Sequence, residues 1–238
     1  LHASALRIDP DLYQHIDPVA VGNDMRTLVS EMAGRASVEL KGKELGYDLS
    51  GQDELLARVT DRVKALEARG YTFDAADASF ELLLREEVQG ERLTYFDVES
   101  WRVITDSKQS GTSDGSRKST VYGEPALSEA TVKLVAGGRR VVATGEGNGP
   151  VNALDHALRQ ALLPAYPELA KLQLIDFRVR ILDAAHGTDA TTRVLIETSD
   201  GATSWETVGV APNIVEASWE ALVDGVTYGL VRQGVDRR

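Results

Sequence analysis

A pattern that occurs twice between residues 92 and 238 constrains the fold more than any other feature of the sequence. Each copy begins with a segment of alternating polar and apolar residues, continues with two more such segments joined by a short turn, and ends in apolar residues at helical spacing. The alternating segments predict β-strands, and the last segment predicts an α-helix. The repeat therefore predicts an α+β fold with two βββα units, at about 92–165 and 170–235, in one internally duplicated domain.

Each predicted hairpin is marked by its turn. Gly137 and Gly138 interrupt the alternation of "EATVKLVAGGRRVVATGEG", and Asp200 and Gly201 interrupt that of "TTRVLIETSDGATSWETVGV". Two-residue turns of this composition join antiparallel strands. The strand that precedes each hairpin is predicted at "LTYFDVESWRVIT" and "KLQLIDFRVRILD". The segment "DSKQSGTSDGSRKST", rich in Ser, Gly and charge, predicts a loop.

The two predicted helices share a stripe of small residues spaced four apart. The stripes consist of Ala153, Ala157 and Ala161 in the first helix and of Ala217, Ala221 and Gly225 in the second. Small residues at this spacing let a helix approach its neighbour closely. Each helix is therefore predicted to pack tightly over a sheet or over its twin.

Residues 1–90 predict a different, helical region. Apolar residues at 55–66 recur every three or four positions and Gly70 follows them, while a second helix is predicted from about Asp74 to Gly90. The segment upstream is also predicted to be helical, with breaks at Gly34, Gly42 and Gly46. The chain is thus expected to divide into helical linker subdomains over 1–90 and a duplicated domain over 92–238.

Composition narrows the classes of function. The 238 residues carry a formal net charge of −11, which opposes binding to nucleic-acid phosphates or anionic lipid. The chain has no cysteine, so disulfides and thiolate zinc sites are excluded. No apolar run approaches the roughly 18 residues that cross a bilayer, and no signal-peptide pattern is present. We expect a soluble, cytoplasmic protein, and one that begins inside a longer chain because its first methionine is Met25.

The turn "GEGNGP" before the first helix allows several interpretations. Gly145, Gly147 and Gly149 resemble a dinucleotide-binding turn, but Pro150 follows them and the preceding strand belongs to a hairpin instead of a parallel βαβ unit. A plain structural turn with Pro150 at the first helical position remains open. The other open interpretation is an anion site, because amides at a helix N-terminus favour a carboxylate as well as a phosphate. A free amino acid or organic acid would then be the ligand.

The strand "LQLIDFRVRIL" could supply an apolar surface for such a ligand. Its alternation places Phe177, Val179 and Ile181 on one face, although any one of them taken singly is more typical of ordinary core. The four histidines lack the spacing of a helical metal site or a recognisable catalytic triad. They are His2, His15, His156 and His186. We expect His156 and His186 to face solvent.

Several longer phrases identify a family. "HASALRIDPDLYQHIDPVAVGN", "LVSEMAGRAS", "GYTFDAADASFELLLR", "GEGNGPVNALDHALRQAL", "YPEL", "TRVLIETSDG" and "TVGVAPNIVEASWEALVDG" occur in order from Leu1 to about Arg232. Together they resemble the C-terminal half of the citramalate synthase branch of the isopropylmalate and homocitrate synthase family. The phrases "QHIDP…VGN", "DAADASFELLLR" and "NALDHALRQAL" favour the citramalate branch over isopropylmalate synthase.

The resemblance implies an acyltransferase as the full-length protein, in which a TIM barrel binds a divalent metal and condenses acetyl-CoA with pyruvate. The present sequence resembles only the linker and the regulatory domain, so no cofactor is expected in it and the chain alone should be inactive. Family members are homodimers. His2 and, less closely, Tyr13 match linker residues that assist proton transfer during the condensation and thioester hydrolysis.

The resemblance also implies a feedback-effector pocket. Its first part is the glycine turn, and its second part comprises the following strand and the second repeat. The matching positions are Gly147, Asn148, Gly149, Pro150, Val151, Leu174, Phe177, Ile181, Thr188, Thr192, Pro212, Asn213 and Ile214. The turn would hold the amino and carboxylate groups of a branched-chain amino acid, and the strand would receive its side chain. Isoleucine is the expected effector.

Two departures from the family pattern bear on that expectation. Phe177 stands where tyrosine is common, and "APNI" replaces a more polar sequence at the second turn. Three alternatives therefore remain: an isopropylmalate synthase regulatory region that binds leucine, a non-catalytic dimerisation module with a vestigial pocket, and a free-standing amino-acid sensor.

Overall fold

The structure is a computed structural model, and it describes residues 18–21, 34–106, 127–182 and 190–236. The loop predicted after β1 lies outside these residues. The helices are α1 (Arg35–Glu44), α2 (Asp53–Ala68), α3 (Asp77–Gln89), α4 (Pro150–Leu162) and α5 (Ile214–Arg232), with short 3-10 helices at Pro18–Val21 and Pro167–Lys171. The strands are β1 (Phe96–Asp106), β2 (Leu127–Ala136), β3 (Arg139–Gly147), β4 (Gln173–Ile181), β5 (Thr192–Ser199) and β6 (Ser204–Ala211).

The duplicated α+β fold is confirmed. Strands β1, β2 and β3 form one three-stranded sheet in that order, β4, β5 and β6 form another, and a helix follows each sheet. The chain divides into two compact units. One unit contains the first repeat, and the other contains α1 to α3 together with most of the second repeat.

In the first repeat, α4 packs on β2 and β3. Strand β2 is antiparallel to both neighbours, with Val132 opposite Trp101 of β1 and Ala143 of β3. The inward side chains of β2 and the apolar face of α4 are fully buried, and they include Ala130, Val132, Leu134, Leu154, Leu158 and Leu162. Their burial away from water supplies the main favourable term for this unit.

Both stripes of small residues lie against a sheet. Of the two predicted alternatives, packing over a sheet and packing over the twin helix, the first is confirmed. Ala153 and Ala157 are buried in α4, and a Cβ added to Gly145 of β3 would lie 2.4 Å from the amide nitrogen of Ala157. In the second repeat, a Cβ added to Gly209 of β6 would lie 2.0 Å from the carbonyl oxygen of Ala217. Each helix therefore approaches its sheet at a glycine that has no room for a side chain.

The hairpin turns are also confirmed. Gly137 and Gly138 have φ values of 56° and 69°, so both central residues are left-handed. This is the turn geometry that matches the twist of two antiparallel strands, and glycine adopts it without strain. Gly201 has a φ of 90° at the corresponding turn between β5 and β6.

The helical region predicted upstream is present over the described residues, with one correction. Gly34 and Gly46 flank α1 as predicted, but Gly42 lies inside the helix and does not break it. A Cβ at Gly42 would lie 2.9 Å from Cδ1 of Leu49, so this glycine makes room for the chain that folds back after α1. The sequence pattern did not distinguish a glycine that ends a helix from one that permits close packing.

The helices α1 to α3 share a core with the second sheet. Phe73, Phe80 and Leu84 pack in the same buried cluster as Val208 and Val210 of β6. Strand β6 is consequently covered on both faces, by α5 on one and by α3 on the other.

Candidate functional site

The turn between β3 and α4 contains two glycines with different structural roles. A Cβ at Gly147 would lie 2.5 Å from Oδ1 of Asn152 and 2.6 Å from the amide nitrogen of Ala153, so Gly147 is required by packing. Gly149 precedes the helix with φ 179° and ψ 169°, an extended conformation open to any residue, and its Cβ would meet nothing within 4 Å. Pro150 is the first helical residue, as predicted. The turn therefore leaves open space at Gly149.

A short hydrogen-bond chain braces this turn. The Asn148 N–H donates to Oδ1 of Asn152 at 3.3 Å, and Nδ2 of Asn152 lies 3.4 Å from Nε2 of His156. Because a carbonyl oxygen only accepts, Nδ1 of His156 donates to the carbonyl of Glu146 at 2.7 Å. His156 is exposed, as predicted, yet it also fixes the end of β3 against α4.

The start of α4 carries no side-chain cap among the described residues. The first amides of a helix lack partners within the helix and carry the positive end of its dipole. Pro150 has no N–H, so the donors of the first turn begin at Val151, which is half-buried. These donors suit an external carboxylate.

The equivalent turn before α5 is capped by the protein itself. Oδ1 of Asn213 accepts a hydrogen bond from the Val215 N–H at 2.8 Å. This is the usual way in which asparagine satisfies an amide at a helix start. Pro212 and Ile214 flank it, and both side chains are exposed. The two turns have the same place in the repeat but offer different hydrogen-bonding groups.

Strand β4 presents an apolar row to solvent in the described part of the chain. Phe177 is 37% exposed and Ile181 is 57% exposed, and Ile175 and Val179 on the same face are exposed as well. The interpretation of these residues as ordinary core is therefore wrong for this chain. Leu174 is half-buried and lies on the opposite face by strand alternation.

The other predicted site residues are divided between the two units or fall outside them. Thr192 begins β5 and is buried. His2, Tyr13 and Thr188 lie outside the described residues. Gly147 to Val151 belong to one unit, whereas β4 and the turn before α5 belong to the other.

Sequence reasoning missed a polar cluster between α3 and α5, which we call the α3–α5 seam. It consists of Tyr71, Ser79 and Glu81 on the helical side and Glu220, Asp224 and Tyr228 on α5. The Tyr71 hydroxyl donates to Glu220 at 2.6 Å, and the Tyr228 hydroxyl donates to Glu81 at 2.7 Å. The spacing of four between the three α5 residues places them on one helix face, which was the available signal.

The middle of the seam links three elements. The Ser79 hydroxyl donates to Oδ2 of Asp224 at 3.1 Å and accepts from the Val208 N–H of β6 at 3.1 Å. Burial raises the pKa of Asp224 to about 6, while Arg92 and the Ser79 hydrogen bond act in the opposite direction. Burial and the hydrogen bond to Glu220 also raise the pKa of Tyr71. The seam thus contains a carboxyl group whose pKa burial raises well above that of an ordinary aspartate.

Neither a metal-ligating cluster nor a membrane-spanning helix is present in residues 18–21, 34–106, 127–182 and 190–236. No group of three or more His, Asp or Glu side chains there could hold a metal ion. No helix in that part of the chain is long and apolar enough to cross a membrane.

The fold and the turn define a class: a duplicated βββα domain, joined to helices, with an uncapped glycine turn and an exposed apolar strand. Residues 74–230 match the family model described as the LeuA allosteric (dimerisation) domain. The chain belongs to this family.

Curated relatives extend the similarity to the whole chain. An (R)-citramalate synthase of Streptomyces coelicolor is 63% identical over 235 residues, which cover 99% of this chain and 42% of that protein. The (R)-citramalate synthases of Geobacter sulfurreducens and Aquifex aeolicus are 40% and 42% identical over 230 and 232 residues. These stretches cover 97% and 98% of this chain and 41% and 42% of those two proteins. The chain thus spans about two fifths of the length of these relatives.

Proposed function

We propose that this chain is the linker and regulatory region of a citramalate synthase, an acyltransferase that condenses acetyl-CoA with pyruvate to give citramalate and CoA in isoleucine biosynthesis. The naming of three relatives as (R)-citramalate synthases supports this proposal. The divalent metal and acetyl-CoA would be bound by a catalytic barrel in the full-length enzyme. His2 and Tyr13 are proposed to assist proton transfer there.

Isoleucine is the proposed feedback effector. The observation that carries this proposal is the uncapped start of α4 with open space at Gly149. The carboxylate of the amino acid would accept hydrogen bonds from the first amides of α4. The family resemblance assigns its branched side chain to Phe177 and Ile181, which lie on the exposed apolar face of β4.

Inhibition requires that the effector distinguish two arrangements of the full-length enzyme. A ligand that binds both arrangements equally shifts no population, however tightly it binds. The proposed regulation is therefore a difference in isoleucine affinity between an active and an inactive arrangement of linker and barrel in a homodimer.

A second candidate is a dimerisation module with a vestigial pocket. The Asn213 cap favours it, because the Val215 amide that would face a ligand at the second turn already has a partner. The family description names dimerisation together with allostery. This candidate predicts a stable dimer by light scattering and no response to amino acids.

Calorimetric titration with isoleucine, leucine and valine separates the candidates. Heat and thermal stabilisation with isoleucine support the proposed effector, and a preference for leucine supports the isopropylmalate synthase alternative. The absence of both effects with all three amino acids at millimolar concentration would exclude the effector proposal.

The variant Gly149→Val tests the turn itself. Because Gly149 is extended with open space around it, the fold should tolerate the side chain, while the ligand's position is blocked. Gly34→Val is a matched control, since Gly34 precedes α1, is also uncapped and also has nothing within 4 Å of its Cβ position. Gly149→Val should abolish isoleucine binding without loss of the dimer, and Gly34→Val should leave binding unchanged. Unfolding of Gly149→Val would instead assign the turn a structural role.

A further inference from the structure

The α3–α5 seam attaches the helical segment to α5 through side-chain hydrogen bonds. Its hydrogen bonds run from Tyr71 to Glu220, from Ser79 to Asp224 and from Tyr228 to Glu81, so carboxyl groups accept at all three positions. The side chain of Glu81 is balanced by Arg85 at 2.9 Å. Glu220 accepts additionally from the Val210 N–H at 3.0 Å. Asp224 occupies the middle of the seam and accepts the hydrogen bond from Ser79.

The surroundings of Asp224 disfavour its negative charge. Its side chain is only 18% exposed, and its nearest cation, Arg92, lies 3.5 Å away and is itself 64% exposed. Because Arg92 is exposed and screened by water, this ion pair offsets only part of the cost of burying the Asp224 charge. Glu220 stands one turn earlier on the same helix, and Glu86 adds repulsion from α3. Desolvation, Glu220 and Glu86 therefore disfavour the ionised form of Asp224. Arg92 and the Ser79 hydroxyl favour it.

Protonation of Asp224 would remove the cost of burying its charge and would keep its hydrogen bond to Ser79. A neutral carboxyl group still accepts the Ser79 hydrogen bond through an oxygen lone pair. Ser79 would still accept from the Val208 N–H of β6. Tyr71 lies near Glu220, Arg69 and Asp224, and its hydrogen bond is made to Glu220. The seam geometry is thus compatible with either protonation state of Asp224.

We propose that the α3–α5 seam is a pH-sensitive joint, in which protonation of Asp224 tightens the attachment of the helical segment to the second repeat and ionisation loosens it. The joint would tune how firmly the helices α1 to α3 are held as pH changes near neutrality.

The direction of the effect follows from the raised pKa of about 6, compared with 3.8 for an ordinary aspartate. A group whose folded pKa is raised contributes stability that is fully present below its unfolded pKa. That contribution is lost as pH rises through the folded pKa. Asp224 therefore stabilises the closed joint at pH 5, and this stabilisation is lost by pH 7.5. An ordinary ion-paired carboxylate would act in the opposite direction.

Amide hydrogen exchange of α3, measured at pH 5 and pH 7.5 and corrected for intrinsic exchange rates, tests the joint without any ligand. Protection of the α3 amides should be about tenfold lower at pH 7.5, as linkage through one group with this pKa requires. Asp224→Asn should remove the dependence and be more protected than the wild type at pH 7.5. Asp155→Asn is the matched control: Asp155 is a buried carboxylate on α4, bonded to Arg159 at 2.8 Å, and its loss should leave α3 unchanged.

Arg92→Gln provides a second variant with the opposite expectation. Loss of this cation should lower α3 protection at pH 7.5 and leave it unchanged at pH 5, where Asp224 is neutral. Equal wild-type protection at the two pH values would overturn the proposal. So would lower α3 protection in Asp224→Asn than in the wild type at pH 7.5, because that result identifies an ordinary stabilising ion pair. If Asp224→Asn does not fold, the Arg92→Gln comparison decides.

Discussion

The two βββα repeats follow one plan and differ in what surrounds them. Gly145, Ala153 and Ala157 in the first repeat correspond in order and spacing to Gly209, Ala217 and Ala221 in the second. In both, the glycine lies under the helix. Outside this shared core the repeats diverge: Thr144 is exposed on β3, whereas the corresponding Val208 on β6 is buried under the linker helices.

The turns differ in a complementary way. The start of α4 has no side-chain cap, whereas Asn213 caps α5. The first amides of α4 therefore have no side-chain cap, whereas the second repeat uses its corresponding amide internally and packs against the helical segment. The comparison indicates that a duplicated fold can keep its packing while its two copies diverge, one with an uncapped helix start and one that attaches the helical segment.

The largest expected effect tests the shared core. Gly145→Ala and Gly209→Ala should each destabilise the chain by about 3 kcal/mol, because the added methyl group overlaps backbone atoms of the helix that cannot move aside. Urea unfolding measures both, and Gly149→Ala is the control, with an expected change within about 0.5 kcal/mol. If one glycine tolerates alanine and the other does not, the repeats do not share the same packing.

A smaller effect tests the different covering of the two sheets. Val208→Ala should cost about 2 kcal/mol, because it removes buried apolar volume between β6 and α3, while Thr144→Ala should stay within about 0.5 kcal/mol. Denaturant midpoints of the two variants give the comparison. Equal costs would mean that the outer face of the first sheet is as well covered as that of the second.

The smallest effect tests the cap. Asn213→Ala should destabilise the chain by about 1 kcal/mol, since the Val215 amide loses its acceptor. Thermal unfolding at constant pH measures the change. A neutral substitution would show that the two turns are equivalent, and the argument that only the first is free for a ligand would fail.

Most of the architecture could be predicted from local patterns. Alternation predicted the strands, and the pairs Gly137–Gly138 and Asp200–Gly201 predicted the hairpin turns. Ala153 and Ala217 predicted close helix packing. Each of these signals depends on residues near one another in sequence. The prediction for Gly42 was wrong, because a glycine that makes room for Leu49 and a glycine that ends a helix look alike in the sequence.

The site was less predictable because its features depend on distant residues. Nothing near Tyr71 in sequence indicates Glu220, and nothing near Ser79 indicates Asp224, yet these pairs form the seam. The exposure of Phe177 could not be read from strand alternation either, because alternation assigns a face and not what covers it. Resemblance to a family supplied the candidate residues that packing rules alone did not.

Amide chemical shifts of the isotope-labelled chain, followed while isoleucine is added, test the central claim most directly. The account predicts saturable shifts at Val151 and Asn152, the first donors of α4, and loss of these shifts in Gly149→Val. Unchanged Val151 and Asn152 signals at millimolar isoleucine would contradict the claim that the start of α4 receives the amino acid's carboxylate.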